Sequence, residues 1–197
     1  MWHDACREGI VEERGTGMRR VILLLTVMAA ALVVASGVAL AAAINGTDRA
    51  DRLVGTPRGD TIKGFGGGDR IFGKGGHDTL RGYEGRDTME GGGEADAMFG
   101  GSGADTMRGG PGDDNLYGGA GNDTIYGNSG DDTTDGQAGS DTLVGGSGND
   151  RIIAGTGNNH HVFARDGEQD IICVDPNSSG QVESADRQDD FIFNRSC

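Results

Sequence analysis

From residue 53 to residue 152 one large apolar side chain recurs every nine positions, isolated among glycines and polar residues. The series is Leu53, Ile62, Ile71, Leu80, Met89, Met98, Met107, Leu116, Ile125, Thr134, Leu143 and Ile152, and only Thr134 departs from it. A strict period overrides any element-by-element reading, because it identifies stacked units that bury their apolar residues against their neighbours. The residues flanking each apolar position make an out-in-out triplet. The pattern therefore predicts a series of very short strands, each with one side chain turned inward.

The polar positions keep the same register. Asp51, Asp60, Asp69, Asp78, Asp87, Asp96, Asp105, Asp114, Asp123, Asp132, Asp141 and Asp150 lie nine residues apart without a slip. Each is preceded by a glycine-rich phrase, clearest between Gly100 and Asp150, so that the unit reads G-G-x-G-x-D-x-U-x with U apolar. The first glycine recurs as Gly55, Gly64, Gly73, Gly82, Gly91, Gly100, Gly109, Gly118, Gly127, Gly136 and Gly145. Glycine at fixed turn positions supplies positive-φ backbone that other residues resist.

Composition agrees with a fold lacking a conventional core. The chain has 39 glycines, few aromatics, and 31 acidic against 17 basic residues, for a formal charge of −14. Such a balance argues against nucleic acid and in favour of cations. A chain this acidic reads as disordered unless something neutralises its carboxylates.

The amino-terminal residues follow a different plan. Met18-Arg19-Arg20 leads into the apolar run Val21–Val34, and Ala39-Leu40-Ala41 fits a cleavage site. Residues 18–41 thus read as a secretory signal-peptide helix cleaved near Ala41, with an uncleaved membrane anchor as the alternative. After cleavage no membrane association is expected. Residues 1–17 read as an extension ahead of the true start at Met18. Export would leave Cys173 and Cys197 in the mature chain, which predicts one disulfide, two free thiols being the alternative.

The nonapeptide series over residues 46–158 resembles the RTX, or haemolysin-type, calcium-binding repeat family. The resemblance implies an all-β, right-handed parallel β-roll of about twelve units, two per turn, with calcium between stacked turns. It would be held by aspartate carboxylates and loop carbonyls. Two units per turn would stack Asp69, Asp87, Asp105, Asp123 and Asp141 on one side. Asp60, Asp78, Asp96, Asp114, Asp132 and Asp150 would stack on the other. Carboxylates on rows about 4.8 Å apart repel unless bridged, and a hard divalent cation taking six to eight oxygens bridges them. No Cys or His series keeps the register, so softer metals fit poorly. Several Ca2+ ions are the expected cofactor, with magnesium second. The expected carbonyl donors are Gly100, Gly103, Gly109, Gly112, Gly118, Gly121, Gly145 and Gly148, in the best-preserved turns. Arg58 and Glu94 replace glycine before Asp60 and Asp96, and Asn159 falls in the aspartate slot at the far end, so weaker binding is expected there.

Outside the turns, Phe99 and Tyr117 fall on neighbouring rows, as do Glu90, Arg108 and Tyr126, while Thr88, Thr106, Thr124 and Thr142 form a ladder. The plain reading is sheet stabilisation. The sharper readings are an adhesive surface for a glycan or protein partner and, more remotely, ice binding. Residues 159–197 leave the register and read as an apolar cap tied by Cys173 and Cys197, with Val162-Phe163 and Asp170–Cys173 as further short strands and His160-His161 packing or facing solvent. There is no H-E-x-x-H motif and no G-x-S-x-G elbow, so no enzyme is expected. The sequence thus predicts a secreted, extracellular calcium-binding roll whose folding calcium drives.

Overall fold

The computed structural model describes residues 40–157, 160–164 and 168–174, with the backbone of 181–185 and 191–193. Residues 1–17, the apolar run of the expected signal helix, Asn159 and Cys197 lie outside the described residues.

The described chain is all-β, with no helix. Its strands are β1 (Ala43–Asn45), β2 (Arg52–Val54), β3 (Thr61–Gly66), β4 (Arg70–Gly75), β5 (Thr79–Glu84) and β6 (Thr88–Gly93). They continue as β7 (Ala97–Ser102), β8 (Thr106–Pro111), β9 (Asn115–Ala120), β10 (Thr124–Ser129), β11 (Thr133–Ala138) and β12 (Thr142–Ser147). The last are β13 (Arg151–Ile153), β14 (His161–Ala164), β15 (Ile171–Cys173), β16 (Gln181–Ala185) and β17 (Phe191–Phe193). Odd-numbered strands form one parallel sheet and even-numbered strands the other, so the chain alternates between two sheets. This is a parallel β-solenoid of about seven turns from β1 to β14.

Between β3 and β12 each residue pairs with the one 18 positions on, as in Thr106↔Thr124 and Met107↔Ile125. The register stacks the U residues in two internal columns, one per sheet, that form a single core. Ile62 through Ile125, with Leu143 and Ile152, are fully buried, and Leu53 at the end is 8% exposed. Burying each such side chain contributes about 1.5–3 kcal/mol. Thr134 takes its place in the column of the odd-numbered strands, with its hydroxyl buried and unpartnered.

Two expectations are corrected here. The strands from β3 to β12 are six residues long rather than triplets, because pairing runs on into the glycine phrase; Tyr126↔Val144 is followed by Asn128↔Gly146 and Ser129↔Ser147. The short strands expected at Val162-Phe163 and Asp170–Cys173 also join the two sheets, and so extend the roll into the segment read as a cap, where the sequence register is lost. Thr142 pairs with His161 and Arg151 with Ile171, so one and two extra residues are absorbed in the connections while the two apolar columns continue through Val162 and Ile172.

Candidate metal centre

The aspartates form two hydrogen-bonded ladders, one along each row of turns. Each main-chain N–H donates to Oδ1 of the aspartate one coil later. On one side these bonds run Asp51 to Asp69, Asp87, Asp105, Asp123 and Asp141, at 2.7–2.9 Å. On the other they run Asp60 to Asp78, Asp96, Asp114, Asp132 and Asp150, at 2.7–2.9 Å. Both stacks expected from the sequence are therefore present. Asp60 through Asp150 are at most 3% exposed.

From Asp69 to Asp132 one carboxylate oxygen per rung remains without a donor. The Oδ2 atoms of Asp69, Asp78, Asp87, Asp96, Asp105, Asp114, Asp123 and Asp132 are buried with no hydrogen-bond partner. Each is aimed at the first glycine of its own phrase. A Cβ built on Gly118 would meet Asp123 Oδ2 at 2.5 Å and the Gly136 carbonyl at 2.9 Å. The cradle that only glycine leaves open thus brings a carboxylate oxygen and a main-chain carbonyl oxygen together. Gly100, Gly109 and Gly145 bring the Oδ2 of Asp105, Asp114 and Asp150 to the same position. The later glycines Gly103, Gly112, Gly121 and Gly148 serve the turn differently, with φ of 130°, 135°, 143° and 124°.

Electrostatics follow from burial. From Asp69 to Asp141 desolvation raises the pKa of every ladder carboxylate, the ladder N–H opposes it, and neighbouring carboxylates add to it in most rungs. Asp78, Asp87 and Asp114 are pushed up to about 6. Asp96, Asp105 and Asp141 reach about 7, and Asp132 about 8. Asp69 and Asp123 move in the same direction. A buried anionic oxygen without a donor is costly unless a proton or a cation meets it. The donors are all hard oxygens, which fits calcium. They come from rungs and carbonyls, for among the described residues no three His, Cys, Asp or Glu side chains converge on one point.

The rungs differ. Asp60 Oδ2 accepts the Thr56 N–H, so that oxygen is engaged in the turn that carries Arg58. The turn with Glu94 keeps the common shape because Glu94 adopts φ 71°, and Asp96 Oδ2 remains without a donor.

The far ends also depart from expectation. The aspartate slot after Asp141 is filled by His160, whose Nδ1 lies 3.4 Å from the Asp141 N–H and 3.5 Å from Asp141 Oδ2. His160 is 1% exposed, and desolvation lowers its pKa, whereas His161 faces outward. On the other side Asp170 extends the ladder, accepting the Asp150 N–H at 2.9 Å. The nine-residue count misses Asp170, although an aspartate directly before an apolar pair was the available signal. Cys173 is buried and disulfide-bonded.

A parallel solenoid whose stacked turns present carboxylate and carbonyl oxygens is a repeat protein organised to hold hard cations. The chain belongs to the RTX calcium-binding nonapeptide repeat (4 copies) family, which matches residues 45–80, 72–107, 99–134, 108–143 and 135–160. It is a calcium-binding repeat protein. No curated protein matches the chain.

Proposed function

We propose that the protein is secreted by the general route, loses residues up to about Ala41, and folds outside the cell when calcium enters the stacked turns. The observation that carries this reading is the row of buried Oδ2 atoms without donors, from Asp69 to Asp132. Bound calcium supplies positive charge that lets adjacent carboxylates stay ionised side by side. The residues holding it are the aspartates from Asp69 to Asp150, with carbonyls of the glycine phrases between Gly100 and Gly148. A ligand that binds only the folded state stabilises it by mass action, so a chain entering millimolar calcium shifts toward the roll. The roll serves as a calcium-dependent scaffold and performs no catalysis. A Cys173–Cys197 bond ties its carboxy-terminal end.

The test is far-UV circular dichroism of the protein in chelator and then in calcium. A strand signal that grows on calcium addition and is lost on chelation supports the reading; a signal indifferent to chelation overturns it.

A second reading, a calcium-stabilised adhesive surface, is favoured by the Phe99–Tyr117 stack on the outer face, with centroids 5.2 Å apart. Phe99→Ala with Tyr117→Ala would then abolish attachment to a glycan or cell surface and leave calcium-dependent folding intact. Unchanged attachment would remove this reading.

A further inference from the structure

The second position of the glycine phrase is where the chain turns with positive φ. Glycine fills it in Gly92, Gly101, Gly110, Gly119 and Gly146. Lys74, Asn128 and Gln137 also stand there, and on two neighbouring odd-numbered strands the position holds aromatics, Phe65 at φ 77° and Tyr83 at φ 78°. Aromatic side chains are the least favoured of these in that region. The two rings sit on paired rows, 5.5 Å between centroids and 9° from parallel, and remain 40% and 38% exposed. They are among the few large apolar side chains left in solvent.

Beside the rings lies a notch of about 350 Å³ lined by Asp48, Phe65, Gly66, Gly67, Tyr83 and Glu84. The register explains it. Asp48, Gly66 and Glu84 occupy the same turn position on three successive coils, and Gly66 leaves a gap between two acidic side chains. A Cβ on Gly66 would come within 3.4 Å of the Asp48 Cα. Among the described residues neither Asp48 nor Glu84 has an ion-pair partner. Arg81, two residues before Tyr83, is directed over the Phe99 ring instead, at 5.0 Å from its centroid.

We infer that this notch binds an arginine side chain presented by a basic polypeptide. Two uncompensated carboxylates flank the gap, and aromatic rings beside it favour a planar, weakly hydrated cation. The site is separate from the buried carboxylate ladders, so the inference goes beyond the calcium reading.

The test uses the protein in buffer where its strand signal is intact. The probe is a labelled eight-residue arginine–glycine peptide, followed by anisotropy, with the same peptide carrying citrulline as the neutral counterpart. Phe65→Gly with Tyr83→Gly restores the residue that the turn prefers, so loss of binding cannot be ascribed to misfolding. That pair, and separately Asp48→Asn with Glu84→Gln, should each weaken the arginine peptide by about ten-fold or more. Asp113→Asn with Asp131→Asn removes the same charge elsewhere and should change affinity by less than about two-fold. The citrulline peptide should bind about ten-fold more weakly. Equal weakening by the Asp113/Asp131 pair would reduce the effect to net charge and overturn the proposal. So would unchanged binding after glycine replacement, equal binding of citrulline, absence of saturable binding, or a neutral oligosaccharide competing for the notch.

Discussion

The main-chain N–H of Asp105 donates to Oδ1 of Asp123 at 2.8 Å, across one full coil of the solenoid. The same carboxylate keeps its Oδ2 buried, without a donor, against Gly118. One side chain therefore performs two separable tasks, closing the coil with one oxygen and presenting the other to a cation.

That division predicts different outcomes for two substitutions. Asp123→Asn retains an acceptor for Asp105 but removes the charge, so calcium affinity should fall while stability in chelator holds. Asp123→Ala also strands a buried N–H, which costs about 1–3 kcal/mol. Thermal melts in chelator beside calcium titrations separate the two. Equal stability of both variants in chelator would show that the ladder bond contributes nothing.

The pH dependence has a defined sign. Burial raises the ladder carboxylates above the usual 3.8, Asp78 to about 6, Asp105 to about 7 and Asp132, the highest, to about 8. The folded state then holds protons more tightly than the unfolded chain. In chelator their contribution to stability is complete below 3.8 and is lost as pH rises through about 6 to 8. Calcium needs the ionised oxygens, so binding releases protons in that window and apparent affinity rises with pH. Melting midpoints in chelator should fall with pH, and calorimetry in buffers of different ionisation enthalpy should register the released protons. A midpoint in chelator that rises across this range would contradict the assignment.

Glycine positions should differ sharply in tolerance. Gly118→Ala drives a methyl group into Asp123 Oδ2 and the Gly136 carbonyl, an overpacking worth about 1–3 kcal/mol together with weaker calcium binding. Gly93→Ala meets nothing within 4 Å and should be close to neutral. Chemical denaturation of the pair measures the contrast.

Thr134→Val should stabilise the roll. Thr134 occupies an apolar slot with Oγ1 buried and unpartnered, and the isosteric methyl removes that polar atom. The gain expected is about 1 kcal/mol, seen as a higher denaturation midpoint in calcium. A lower midpoint would mean that the hydroxyl has a partner in solution.

Much of this was legible because the fold is built on translation by a fixed step. Once two units make a coil, Asp69 must stack on Asp87, and Met107 on Ile125. The six-residue strands were less visible, because glycine has low strand preference when read alone and extends the ladders only through its stacked neighbours. The ends were hidden for another reason. Extra residues before His160 and Asp170 break the count but not the pairing, since connections can bulge while sheet hydrogen bonds keep register. Phe65 and Tyr83 are invisible to a motif written with glycine, which says nothing about an aromatic residue that adopts glycine's backbone.

The ladder bonds have a direction. Each turn donates its N–H forward to an aspartate that lies later in the chain, so no coil can be finished by residues that precede it. A polypeptide emerging amino terminus first must wait at every step for the following coil, and among the described residues the last acceptors it waits for are His160 and Asp170. The two ladders behave as ratchets in which each later tooth decides when the one before it can lock.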